Sequence, residues 1–123
     1  MRTIPLVCVV DDDRSVLRAV ERLLRASAFA VATFASAEAY LQSEHRKTAG
    51  CLVLDVHLGG VSGLELQEQL AAAGTRTPIV FITAWDDATA RERAHRAGAA
   101  GYLQKPFDDV ALLGAVSRAL AAA

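Results

Sequence analysis

Three stretches of this chain, Leu6–Val10, Cys51–Val56 and Thr77–Thr83, run apolar without the alternation that marks a strand with one wet face. A strand that is apolar on both faces must be covered on both faces, which is the situation of a parallel sheet lined by helices on either side. The segments between these runs carry the other period. Ser15–Ala26 places Val16, Leu17, Val20, Leu23 and Leu24 at helical spacing, and Ser62-Gly63-Leu64-Glu65 forms a capping box that opens a helix to about Ala73.

The remaining elements fit the same rhythm. Phe29–Phe34 reads as a short strand, and Ala37–Gln42 as a short helix with Ser36 as N-cap. Pro78, which cannot donate to a sheet, is tolerated at the start of the Thr77–Thr83 strand. Asp86 or Asp87 caps a helix to Ala97, with Gly98 supplying the left-handed position that ends it. Gly101–Gln104 is a short fifth strand, and Asp108 caps a last helix with Leu113, Val116 and Leu120 on one face. Five βα units in succession, joined by right-handed crossovers, predict an α/β fold. The expected form is one doubly wound, five-stranded parallel sheet of order 2-1-3-4-5, flavodoxin-like, with helices on both faces.

With 123 residues, 53% of them hydrophobic and 22% charged, the chain has the size and composition of one globular domain. A net charge of −1 supplies no electrostatic footprint for nucleic acid or for an anionic membrane. No apolar run approaches the roughly 20 residues of a membrane-spanning helix. The opening Met1-Arg2-Thr3-Ile4-Pro5 lacks a secretory layout. Cys8 and Cys51, both inside apolar runs, read as buried free thiols, and the chain is expected to be cytoplasmic.

In an open parallel sheet, ligands bind beyond the carboxyl ends of the strands, where the connections reverse direction. Strand 1 ends in Asp11-Asp12-Asp13, strand 3 in Asp55, strand 4 in Thr83 and strand 5 in Lys105-Pro106, whereas strand 2 ends in Phe34-Ala35. Asp13 suits a helix N-cap. Asp11, Asp12 and Asp55 in one mouth would repel and raise each other's pKa unless a cation neutralised them. Mg²⁺, which takes carboxylate, water and phosphate oxygens, fits that need. The chemistry that follows is a carboxylate nucleophile, Asp55, accepting a phosphoryl group as an acyl phosphate. Mg²⁺ would be held by Asp12, and by Asp11 through water; Lys105 would contribute further positive charge, and the Thr83 hydroxyl a hydrogen bond.

These residues, together with Val9-Val10-Asp11-Asp12-Asp13, Ser36-Ala37-Glu38-Ala39-Tyr40-Leu41, Leu52-Val53-Leu54-Asp55, Ile82-Thr83-Ala84, Ala97-Gly98-Ala99 and Lys105-Pro106-Phe107, resemble the response-regulator receiver domain of two-component signalling, and within it the FixJ-like group. The resemblance covers essentially the whole chain and implies one receiver domain over residues 1–123, of the kind that can form the N-terminal part of a longer regulator. It implies phosphorylation of Asp55 by a sensor histidine kinase. It also implies a metal site from Asp11 or Asp12, Asp55 and the backbone carbonyl of His57. Tyr102 is implied as an aromatic that turns inward as Thr83 moves, and Trp85 as a residue lining the pocket. Homodimerisation on phosphorylation, through the face of helix 4, strand 5 and helix 5, is the family's usual outcome. Gly59, followed by Gly60, stands where the family usually has proline, which implies a more permissive loop.

Three other readings compete. A Mg²⁺-dependent aspartyl phosphatase would need a second acid and a cap, and no insertion is long enough for a cap. A flavin- or nucleotide-binding module would need a Gly- or Ser/Thr-rich phosphate loop where this chain has three aspartates. A receiver serving only protein contacts would not need Asp12, Asp55, Thr83 and Lys105 together. His45, His57 and His95 lack metal-ligand spacing. Arg91, Arg93 and Arg96 read as a solvated helix face, with Glu92 able to pair with Arg96.

Overall fold

The structure, a computed structural model, describes residues 4–85 and 87–122. Five strands, β1 (Leu6–Val10), β2 (Ala30–Phe34), β3 (Cys51–Asp55), β4 (Ile79–Thr83) and β5 (Gly101–Gln104), form one sheet of order β2-β1-β3-β4-β5. Every neighbouring pair is parallel. Between and after them lie α1 (Arg14–Ala26), α2 (Ala37–Gln42), α3 (Gly63–Ala72), α4 (Ala88–Arg96) and α5 (Asp109–Ala122). The expected architecture and strand order are those observed.

Because successive side chains of a strand point to opposite faces, the apolar runs feed two separate cores. Val7, Val9, Val53, Val80 and Ile82 pack with Leu17, Val20 and Leu24 of α1 and with Leu112 and Val116 of α5. Cys8, Val10, Leu52, Leu54 and Phe81 pack on the other face with Tyr40 of α2, Leu64, Leu66 and Leu70 of α3, and Ala90 and Ala94 of α4. Cys8 and Cys51 are buried free thiols belonging to opposite cores. Burial pushes their pKa values up to about 11 and about 12, which keeps both as inert thiols.

Several boundaries differ from the sequence reading for identifiable reasons. Strand β2 begins at Ala30, because Ala28 takes a left-handed φ of 69° and the Phe29 N–H still closes onto the Leu24 carbonyl of α1. Strand β4 begins at Ile79, although the Pro78 carbonyl accepts from Leu52 N–H and extends the contact with β3. Strand β3 ends at Asp55, not Val56. On α5 the fully buried positions are Leu112, Ala115, Val116 and Ala119, while Leu113 and Leu120 are only partly buried. A 3₁₀ turn at Glu44–Lys47, absent from the periodicity, precedes β3. Asp87 caps α4 through Thr89 and Ala90 N–H; Asp86, the other cap candidate, lies outside the described residues, as do Met1, Arg2 and Thr3 of the opening segment. No helix among the described residues is long and apolar enough to cross a membrane.

The capping box at Ser62 and Glu65 forms as expected, and it sets α3 hard against the end of β3. Gly63 N–H donates to Val56 carbonyl at 3.0 Å, and a Cβ at Gly63 would stand 2.1 Å from the backbone oxygen of Asp55. Only a residue without Cβ permits this approach. Gly63→Ala should therefore destabilise by at least the ~1–3 kcal/mol typical of overpacking, read as a lowered melting temperature. Tyr40 makes the opposite case: it is fully buried, and its hydroxyl has no hydrogen-bond partner among the described residues. A buried unpaired hydroxyl costs about 1–3 kcal/mol. Tyr40→Phe should accordingly melt at or above the parent temperature, and a clear fall would show that the hydroxyl is satisfied.

Candidate functional site

The sheet brings the polar strand ends together at one edge. Asp11 follows β1, and its N–H is held by the Phe34 carbonyl of β2 at 3.1 Å. Its carboxylate is fully buried. One oxygen accepts from Asp13 N–H at 2.8 Å and the other from Lys105 Nζ at 2.7 Å. Asp55 is the last residue of β3 and is also buried. Its Oδ1 accepts from His57 N–H at 3.0 Å and its Oδ2 from Lys105 Nζ at 3.3 Å. Lys105 reaches both because its own N–H is fastened to the Thr83 carbonyl at 2.7 Å, which carries β5 one step past its last ladder pair.

Asp12 is exposed at the mouth, and carboxylate oxygens of Asp11, Asp12 and Asp55 lie within 4.8 Å of one another. Three carboxylates against one ammonium leave a local excess of negative charge. The donor set is all oxygen, as a hard divalent cation requires. Asp13 does not join it: its side chain accepts from Ser15 Oγ at 2.6 Å, Ser15 N–H at 2.9 Å and Val16 N–H at 3.5 Å, as the N-cap of α1. The Ser15 hydroxyl holds its pKa below the usual carboxylate range.

The electrostatics are uneven across the cluster. Burial pushes the Asp55 pKa up to about 6; the negative charge of Asp11 adds to this, and the His57 N–H and Lys105 oppose it. Burial acts on Lys105 in the discharging direction, but its bond to Asp11 and the charges of Asp55 and Asp11 outweigh that and raise its pKa. The shared ammonium is thus firmly charged, and Asp55 remains under-compensated.

Thr83 is fully buried at the end of β4, next in the chain after Ile82, which lies opposite Asp55. Its hydroxyl donates to the Trp85 carbonyl and accepts from the Trp85 N–H, both at 3.1 Å. Trp85, expected to line the pocket, is 71% exposed. Tyr102 is already half-buried: its ring centroid lies 6.1 Å from that of Phe81, and the Arg91 guanidinium sits 5.6 Å above it. His45, His57 and His95 are exposed. Glu92 pairs with Arg96 as the spacing predicts, while Arg93 instead crosses to Glu68 of α3.

One contact had no sequence signal. Glu38 Oε2 of α2 accepts from Val61 N–H at 3.5 Å, and Gly60 has a left-handed φ of 71° in which a Cβ would meet the same oxygen at 2.5 Å. The loop after β3 therefore folds against α2, a pairing that residues 23 positions apart do not announce.

The Asp55 pKa fixes a sign for stability. Its folded value of about 6 exceeds the reference 3.8, so the folded state holds the proton more tightly. This contribution is fully present below about pH 4 and lost as pH rises through about 6. Asp55→Asn, which carries no charge, should be more stable in EDTA at pH 7.5 by about 1–2 kcal/mol after solvent screening, read as a higher melting temperature. The gain should fade towards pH 4, and a gain independent of pH would contradict the assignment.

Comparison with known proteins agrees with this geometry. The family model described as "Response regulator receiver domain" matches residues 7–117. The response regulator protein TodT of Pseudomonas putida is 39% identical over 115 residues, 94% of this chain and 51% of TodT. The transcriptional regulatory protein FixJ of Azorhizobium caulinodans is 40% identical over 114 residues, 93% of this chain and 54% of FixJ. The chain thus spans about half the length of these curated relatives. Among solved structures, the response regulator StyR superposes with a TM-score of 0.90 at 47% identity, covering 98% of this chain and 61% of StyR. The structure titled FixJ-N superposes with a TM-score of 0.88 at 32% identity, covering 98% of this chain and 96% of that one. The chain belongs to the response regulator receiver domain family of two-component signalling.

Proposed function

We propose that this domain is a phosphoacceptor switch in which Asp55 takes a phosphoryl group from the phosphohistidine of a sensor histidine kinase. The observation that carries the reading is the shared ammonium. A buried aspartate at a strand end, coupled through Lys105 to a second buried aspartate and beside a third at the mouth, is an arrangement that costs stability and has no packing purpose.

In the transfer, an Asp55 carboxylate oxygen forms a bond to phosphorus as the phosphorus–nitrogen bond of phosphohistidine breaks, leaving the nitrogen lone pair on the donor. Hydrolysis later returns the carboxylate and releases inorganic phosphate. Asp11, Asp12, Asp55 and the backbone carbonyl of His57 are the groups that would hold Mg²⁺. When bound, Mg²⁺ would supply the positive charge that such phosphoryl transfer requires. Lys105, already placed on Asp55 Oδ2, contributes a second positive charge to the incoming oxygens. His57 N–H keeps the Asp55 carboxylate oriented. Thr83, once released from Trp85, donates its hydroxyl to the phosphoryl group, and Tyr102 follows, altering the face formed by α4, β5 and α5. That face would pair two phosphorylated copies or engage an output segment. The unit is proposed as the receiver portion of a longer, cytoplasmic regulator, in keeping with the half-length match to its relatives.

Incubation with acetyl phosphate and Mg²⁺, followed by intact-mass measurement, should add one phosphoryl group to the parent and none to Asp55→Asn. Omission of Mg²⁺ should suppress the gain. Labelling of Asp55→Asn at the parent rate would move the acceptor elsewhere. Multiple turnover of an organic phosphate without a stable adduct would favour a phosphatase instead.

A further inference from the structure

At the opposite end of the sheet from Asp55, a cleft of about 370 Å³ is lined by Arg46, Lys47, Leu70, Thr75, Arg76 and Thr77. Three of these six residues are cations, two are hydroxyl donors and none is acidic.

The cleft is also held in shape. Arg46 is tethered through its Nε to the Leu41 carbonyl at 2.7 Å, which leaves the terminal guanidinium nitrogens as its remaining donors. Lys47 pairs at 3.0 Å with Glu44, so one of the three charges is partly compensated. Arg76 makes no salt bridge among the described residues. The segment that carries it is fixed at both ends. Gly74 has a left-handed φ of 78° and Thr75 N–H closes onto the Leu70 carbonyl at 2.9 Å; beyond, the Pro78 carbonyl accepts from Leu52 N–H at 2.9 Å. A second cleft, of about 380 Å³, shares Leu70, Thr75, Arg76 and Thr77 and continues over Pro78 and Ile79. The cationic site therefore adjoins apolar surface.

We propose that this cleft binds a phosphate-bearing small anion, with Arg46 and Arg76 as paired guanidinium donors, Lys47 as a third charge and the Thr75 and Thr77 hydroxyls completing the contacts. Planar guanidinium groups match phosphate oxygens two at a time, and the threonine hydroxyls add further donors to the same oxygens. The neighbouring apolar cleft has room for the organic part of a phosphate ester. The site lies at the far end of the sheet from the acceptor aspartate, so its occupancy can be measured separately from phosphorylation.

The test is a titration of the intact protein with inorganic pyrophosphate in EDTA at low ionic strength, followed by amide NMR; EDTA prevents a metal-bridged complex at Asp55. Saturable shifts are expected at Arg46–Thr48 and Thr75–Thr77, with residues 11–13 and 55–57 unmoved. Loss of one charge-assisted pair should weaken binding about tenfold in Arg76→Gln. Arg22→Gln, on exposed α1 surface, should bind as the parent does. Phosphorylation by acetyl phosphate should be unchanged in Arg76→Gln, which separates failure here from failure of the acceptor assignment. Absence of saturation, equal loss in the Arg22 and Arg76 variants, or equally tight binding of a short polyglutamate peptide would overturn the proposal.

Discussion

The ammonium of Lys105 ties the end of edge strand β5 to carboxylates two and three strands away across the sheet. It leaves the end of β5, an edge strand, passes the end of β4, and bonds carboxylates at the ends of β1 and β3, at 2.7 and 3.3 Å. Both acceptors are buried and the lysine side chain is only 18% exposed. Removing the ammonium would strand two buried carboxylates without a countercharge, which costs far more than the intact contacts contribute. The bond between Lys105 N–H and Thr83 carbonyl is what fixes the starting point of that reach. The register of β5 on β4, with Thr83 opposite Gln104, is thereby tied to the electrostatics of the site.

That arrangement is incomplete by design of its charges. One ammonium cannot satisfy three carboxylates, and the deficit falls on Asp55, whose pKa is raised to about 6 by burial and by Asp11. A domain selected for stability alone would place an apolar residue here. A domain that must accept a cation and then a phosphoryl group benefits from the deficit, because each added positive charge relieves a penalty already present in the free state. Gly63 shows the same logic in the backbone. By omitting a Cβ 2.1 Å from the backbone oxygen of Asp55, it lets the capped N-terminus of α3 press against the end of β3.

Much of this was legible in the sequence because it depends on period and on strand ends. The uninterrupted apolar runs implied coverage on both faces, and the two cores confirm it residue by residue. The convergence of Asp11, Asp12, Asp55 and Lys105 followed from strand order alone. The misses have a different character. The buried face of α5 rests on Ala115 and Ala119 beside Leu112 and Val116, and alanine carries too little hydrophobic contrast to be seen against an alanine-rich background. The contact of Glu38 with the loop at Gly60 and Val61 is a tertiary pairing with no local mark. Trp85 was assigned to the pocket by family position; its sequence neighbourhood does not determine how exposed the indole is, and here it is largely exposed.

If the domain switches as proposed, the consequence lies in Thr83. In this state its hydroxyl is engaged twice with the backbone of Trp85, as donor and as acceptor. Under the proposed function, a phosphoryl oxygen that recruited this hydroxyl would have to break a short local turn, so the proposed switch would oppose a defined structure and not a free rotor. Tyr102 offers similar resistance, being half-buried against Phe81 with Arg91 over its ring. Phosphorylation can shift this pair only by the difference in its interaction with the two arrangements. Two modest, opposing sets of contacts are therefore the condition for a switch. If Thr83 and Tyr102 were unconstrained, the α4–β5–α5 face would fluctuate regardless of Asp55. If either were locked in the core, no single phosphoryl group could move it.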